Sequence, residues 1–136
     1  MPTIETSAPF IALDVGDAPE VIAPDGSAVR VLVRSESGSM AQFLLPGFAV
    51  SRAVVHRTVT ELWYFIAGRG QMWLSFSGHE AIVDVVAGSS IAVPVGTAFQ
   101  FCSRSADALQ VVAVTMPPWP GDGEAVVVSG PWSATV

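Results

Sequence analysis

Along this chain short apolar segments, many of them alternating apolar and polar residues at a period of two, are separated by glycine and proline rather than by long linkers. The pattern predicts strands at Glu20–Ala23, Ala28–Arg34, Met40–Leu45, Ala49–Val59, Glu61–Ala67, Gln71–Phe76, Ala81–Val86, Ile91–Val93, Ala98–Ser103, Leu109–Met116 and Ala125–Val128. No segment shows the spacing of an amphipathic helix. The breaks have turn chemistry: Pro24-Asp25-Gly26 opens with a fixed φ and ends on a residue tolerant of positive φ, and Ser77-Gly78-His79 suits a hairpin. Eleven short β-branched and aromatic strands predict an all-β domain of two packed sheets or a closed barrel. One domain over 1–136 is expected, with an N-terminal arm at 1–19, a barrel at 20–128 and a tail at 129–136.

Composition narrows the chemistry. Half of the 136 residues are hydrophobic and only 13% are charged, which excludes disorder, and twelve carboxylates against six arginines give a net charge of −6. That balance offers no basic face for nucleic acid or for an anionic membrane surface. The sequence contains no lysine, so Schiff-base and Walker-type chemistry are excluded, and Cys102 alone cannot form an intrachain disulfide. The apolar runs are far shorter than the roughly 20 residues of a spanning helix. Residues 1–10 lack the basic start of a secretory signal, so a cytoplasmic location is expected.

The most informative stretch is Gly47–Gly70, in which His56 precedes Glu61 by five positions and Gly68 follows Glu61 after six residues. A second stretch runs from Gly88 through Pro94 to Gly96. Together they resemble the two conserved motifs of the cupin superfamily, G-x5-H-x-H-x3-4-E-x6-G and G-x5-P-x-G. The resemblance covers residues 47–103 and implies a double-stranded β-helix, a jelly-roll barrel. In metal-bearing cupins it would also imply three histidines and a glutamate around Fe, Mn, Ni or Zn. Here only His56 and Glu61 keep those identities, because the first histidine position falls on Val54 and the third on Phe99. The expectation is therefore no cofactor, with a single divalent metal on His56 and Glu61 as the alternative.

Strand alternation from these positions predicts an inward-facing set of Arg52, Val54, Thr58, Trp63, Phe65, Phe99 and Phe101. An apolar cavity with one imidazole and one carboxyl suits proton transfer on a hydrophobic small molecule, with His56 and Glu61 as the catalytic pair. Trp63 and Phe99 would stack on the ligand and Arg52 would hold an oxygen anion. A cyclisation, isomerisation or lyase step is expected, with a non-catalytic binding protein or a metalloenzyme of reduced ligand set as alternatives. Ser51, Ser75 and Ser90 lack a nucleophile elbow, Cys102 reads as sheet packing, His79 as a solvent-facing hairpin residue, and Trp119 and Trp132 as covers over a barrel end or a subunit contact. A homodimer joined by strand exchange through residues 1–23 is also expected.

Overall fold

The computed structural model describes residues 9–136. Of the expected N-terminal arm, residues 1–8 lie outside the described part. The rest runs extended through exposed Phe10 and Ile11 and a single 3-10 turn at Val15–Asp17.

Eleven strands follow: β1 (Glu20–Ile22), β2 (Ala28–Arg34), β3 (Ser39–Leu45), β4 (Ala53–His56), β5 (Thr60–Ala67), β6 (Arg69–Phe76), β7 (His79–Val86), β8 (Ser90–Val93), β9 (Ala98–Ser103), β10 (Leu109–Met116) and β11 (Ala125–Val128). They form two antiparallel sheets, one ordered β1-β2-β3-β10-β5-β8 and the other β11-β4-β9-β6-β7. Among the described residues no helix is long and apolar enough to cross a membrane.

The alternation that predicted the strands also decides what each face does. On β5, Glu61, Trp63 and Phe65 are buried while Leu62, Tyr64 and Ile66 are exposed. On β10, Val111, Ala113 and Thr115 turn inward with them. The core between the sheets is apolar: Leu45, Val54, Trp63, Phe65, Met72, Phe99 and Phe101 each expose 1% or less. The outer face of the first sheet carries charge only toward its β1–β2 edge, where Arg30 pairs with Glu20 at 3.0 Å; its β3, β10 and β5 part is uncharged. Met40 and Leu44 on β3, Val112 and Val114 on β10, and Leu62, Tyr64 and Ile66 on β5 share it with Gln42 and Gln110, whose side chains hydrogen-bond to each other at 3.1 Å.

Two local irregularities matter for the site. The strand expected over 49–59 is restricted to Ala53–His56, with an isolated bridge between Val50 and Cys102. Before it, the Arg52 N–H bonds to the Asp25 carbonyl at 2.8 Å; after it, Glu124 collects the N–H groups of Thr58 and Val59. The second irregularity lies on β2. Val31 pairs with Ala41 but Arg34 pairs with Ser39, so one extra residue is accommodated between Val31 and Arg34. Such a bulge reverses the facing of every residue beyond it.

The 129–136 tail is strapped across β9. Gln100 donates to the carbonyls of Ser51 and Trp132 and accepts from the Trp132 N–H, and Thr135 exchanges hydrogen bonds with Val50. This cover explains why β9 is buried on both faces and why Cys102 is fully enclosed.

Gly70 sits where β6 meets β9, and a Cβ there would run into the carbonyl oxygen of Cys102. Gly70→Ala is expected to cost about 2 kcal/mol, lowering Tm by about 6–8 °C. Gly123→Ala, which meets open space, serves as the near-neutral control. Calorimetry on the two variants checks this.

Candidate functional site

A cavity of about 220 Å³ opens into the barrel, bounded by β1 to β3, the inner ends of β4, β5, β9 and β10, and the Trp119–Asp122 segment. Its wall is largely aliphatic and aromatic, with Val29, Phe43, Val54, Phe99 and Trp119 among the lining residues. Into this lining project His56 from the end of β4 and Glu61 from the start of β5.

The two side chains face one another. His56 Nδ1 stands 3.6 Å from Glu61 Oε1, beyond hydrogen-bond length, and neither atom has a hydrogen-bond partner. The imidazole lies between two aromatic edges, Phe99 at 5.1 Å and Trp119 at 5.1 Å between ring centroids. Removal from water lowers the His56 pKa to about 4, against a smaller upward pull from Glu124. Burial raises the Glu61 pKa to about 8; the nearby Trp63 indole N–H offsets part of this without closing a hydrogen bond, and the charge of Asp25 adds to it. At neutral pH the pair is therefore a neutral base facing a neutral acid, and the contact is not an ion pair.

Asp25 and Glu124 shape this environment. Asp25 lines the cavity from the β1–β2 turn, 5% exposed, with Oδ1 accepting from the Ser27 N–H at 2.9 Å and the Ser27 hydroxyl at 2.6 Å. Its burial pushes its pKa up, more than those bonds and the charge of Arg52 pull it down. Burial also pushes Glu124 upward, but hydrogen bonds from the Thr58 hydroxyl and the Thr58 and Val59 N–H groups outweigh it and hold that carboxyl below its usual range. Glu124 thus ties the loop after His56 to the segment preceding β11, whose Ala125 pairs with His56.

The sequence-predicted residues divide three ways. Val54, His56, Glu61 and Phe99 meet on the cavity wall. Trp63, Phe65 and Phe101 point inward but are spent on the core: the Trp63 ring packs against Phe43, Phe65, Phe99 and Phe101 at 5.0–5.9 Å. The expected inward orientation of Arg52 and Thr58 is corrected. Both are exposed, since β4 ends at His56 and begins at Ala53, and alternation does not extend past a strand's ends. Missed in the sequence were Asp25, read only as a turn residue, Glu124, and a polar row on the first sheet formed by Thr115, Ser39 and Arg34. His79 is exposed at the β6–β7 hairpin, as expected.

The metal ligands that the resemblance would imply can be tested against this wall. Val54 and Phe99 occupy the remaining two positions, each 1% exposed and apolar, and two protein donors are fewer than the three that hold even an open zinc site. Among the described residues no group of three or more His, Cys, Asp or Glu is placed to hold an ion. The donor set does not fit a tightly held divalent metal.

No protein-family model and no curated protein matches the chain. Solved structures do. Oxalate decarboxylase from Bacillus subtilis superposes with a TM-score of 0.74 at 17% identity over 85% of this chain, which spans only 31% of that one. A Streptomyces PAC13 variant with uridine superposes at 0.68 with 14% identity, over 85% of this chain and 88% of that chain. The fold is the all-β cupin jelly roll that the two glycine and proline motifs implied.

The opposed shifts have a measurable signature in stability. His56, with a folded pKa of about 4 against an ordinary 6.5, makes stability rise with pH between those values; Glu61, at about 8 against 4.5, makes it fall between those values. The slopes cancel from about pH 4.5 to 6.5, leaving a net fall of about 2 kcal/mol from pH 6.5 to 8. Urea denaturation across this range is expected to show the fall in the parent relative to Glu61→Gln, in which it is absent.

Proposed function

We propose that this chain binds a hydrophobic small molecule in the barrel and catalyses a metal-independent proton-transfer step of the cyclisation, isomerisation or lyase kind. The observation that carries this reading is the His56–Glu61 pair: a neutral base and a neutral acid, 3.6 Å apart, both unpartnered and both aimed into an apolar cavity. In water the carboxyl, with an ordinary pKa of 4.5, would be ionised at neutral pH and have no proton to give, and part of the imidazole would already carry one. Held dry, each keeps the form that a bound substrate needs.

For an isomerisation the step balances within the site. His56 Nδ1 takes a proton from the carbon beside a carbonyl while Glu61 gives its proton to the carbonyl oxygen, forming an enol. With a β,γ-unsaturated ketone the enol is a dienol, and the imidazolium returns its proton to the γ-carbon as Glu61 recovers its own from the enol oxygen, giving the conjugated ketone. Phe99 and Trp119 flank the imidazole and exclude water from the reacting atoms. The similar length and fold of PAC13, recorded with uridine, supports a ring-bearing small molecule as the kind of ligand such a barrel holds.

The test follows solvent-deuterium incorporation at the α-carbon of 2-tetralone by NMR, together with metal content by inductively coupled plasma mass spectrometry. The expected result is exchange catalysed at a plateau between about pH 4 and pH 8, reduced at least 100-fold in His56→Ala and in Glu61→Gln, with metal well below one equivalent per chain. Exchange unaffected by both substitutions would overturn the catalytic reading. Stoichiometric metal lost in His56→Ala would favour the metal-dependent alternative.

A further inference from the structure

The β-bulge on β2 has placed a cation on the cavity wall. Strand alternation carried forward from Val29 and Val31, which face inward, would turn Arg34 outward. The one-residue register shift between Val31 and Arg34 brings it back to the inner side, opposite Ser39. The registers across neighbouring strands then line up: Glu61 pairs with Thr115, Thr115 with Ser39, and Ser39 with Arg34. A polar row crosses four strands of an otherwise apolar wall, grading from the buried Glu61 and Thr115, through half-buried Ser39, to the exposed Arg34 at the mouth.

The middle of this row is already satisfied. Ser39 Oγ and Thr115 Oγ1 share a hydrogen bond at 2.6 Å, and the Trp119 N–H donates to Ser39 at 2.9 Å. Its two ends are not. Glu61 Oε1 has no partner, and Arg34 has neither a hydrogen bond nor an ion pair among the described residues, although Asp122 lines the same cavity. Among the described residues Arg34 is also the one arginine on the cavity wall. A guanidinium brought inward by a backbone irregularity, left unpaired, and backed by an aliphatic wall matches an anionic group on an otherwise apolar ligand.

We propose that the ligand of this cavity is amphiphilic: a hydrophobic ring system carrying a terminal anionic oxygen group, a carboxylate or a phosphate, which Arg34 holds at the mouth while the opposite end reaches His56 and Glu61. This rests on the proton-transfer reading for what happens at the inner end. Three strand spacings separate the backbones of Glu61 and Arg34, roughly 14 Å. The two side chains span part of that distance, and one or two fused rings fill the remainder. The single cation at the mouth sets orientation, so the reacting end of the ligand is always the uncharged one.

The experiment measures binding of four probes by tryptophan fluorescence and calorimetry: 1-naphthaleneacetate, its methyl ester, 1-naphthyl phosphate and 2-tetralone. Parent protein is expected to bind an anionic probe at least tenfold more tightly than the ester, and Arg34→Gln to remove that preference while leaving ester and 2-tetralone affinity unchanged. Comparison of the two anions tells carboxylate from phosphate. Equal affinity for acid and ester in the parent, an equal loss for all probes in Arg34→Gln, or no binding of any anionic probe would overturn the proposal. Because 2-tetralone has no anionic group, its exchange by His56 and Glu61 reports on the proton-transfer reading separately.

Discussion

The structure depends on one aromatic contact between its two sheets. Trp63 on β5 meets Phe43 and Phe65 of its own sheet and Phe99 and Phe101 of the other, all at angled or edge-on geometry. This cluster fills the barrel beside the cavity, and Phe43 and Phe99 belong to both the cluster and the cavity wall that carries Glu61 and His56. A smaller residue at position 63 would extend the cavity inward and admit water behind the carboxyl.

The electrostatics follow from that packing. Glu61 lies one turn of the pleat from Trp63, facing the same way, so its carboxyl rests on the aromatic floor and loses its hydration. Phe99 and Trp119 do the same for the imidazole. Desolvation is the largest cause of both shifts, and it moves an acid and a base in opposite directions. A single physical effect therefore supplies both protonation states that proton transfer at neutral pH requires.

Much of this was legible in the sequence, for identifiable reasons. All eleven strands were readable because the half-buried ones alternate with a period of two and glycine and proline mark their ends. Val54, His56, Glu61 and Phe99 followed from motif spacing, although β4 and β9 lie in one sheet and β5 in the other, so that the two inner faces meet across the barrel. Thr58 and Arg52 were misplaced because alternation was extended past the ends of a four-residue strand. Arg34 was hidden for the opposite reason: strict alternation turns it outward, and a bulge, which leaves no composition mark at Leu32 and Val33, restores it. Glu124 and Asp25 reach the site through the fold's closure, from positions distant in the chain from His56 and Glu61, and one sequence carries no sign of such pairing.

The uncharged β3–β10–β5 part of the first sheet's outer face has a colloidal consequence. Leu62, Tyr64 and Ile66 stand exposed beside Met40 and Leu44, and the Arg30–Glu20 pair at the edge of the same face is neutral as a unit, so the net negative charge of the rest of the surface is what keeps two such faces apart. That charge vanishes near the isoelectric point, at about pH 4.6. The same region of pH is where His56 takes up its proton. Acidification thus discharges the surface and charges the interior together, and the solution loses its repulsion between molecules just as the site loses its neutral base.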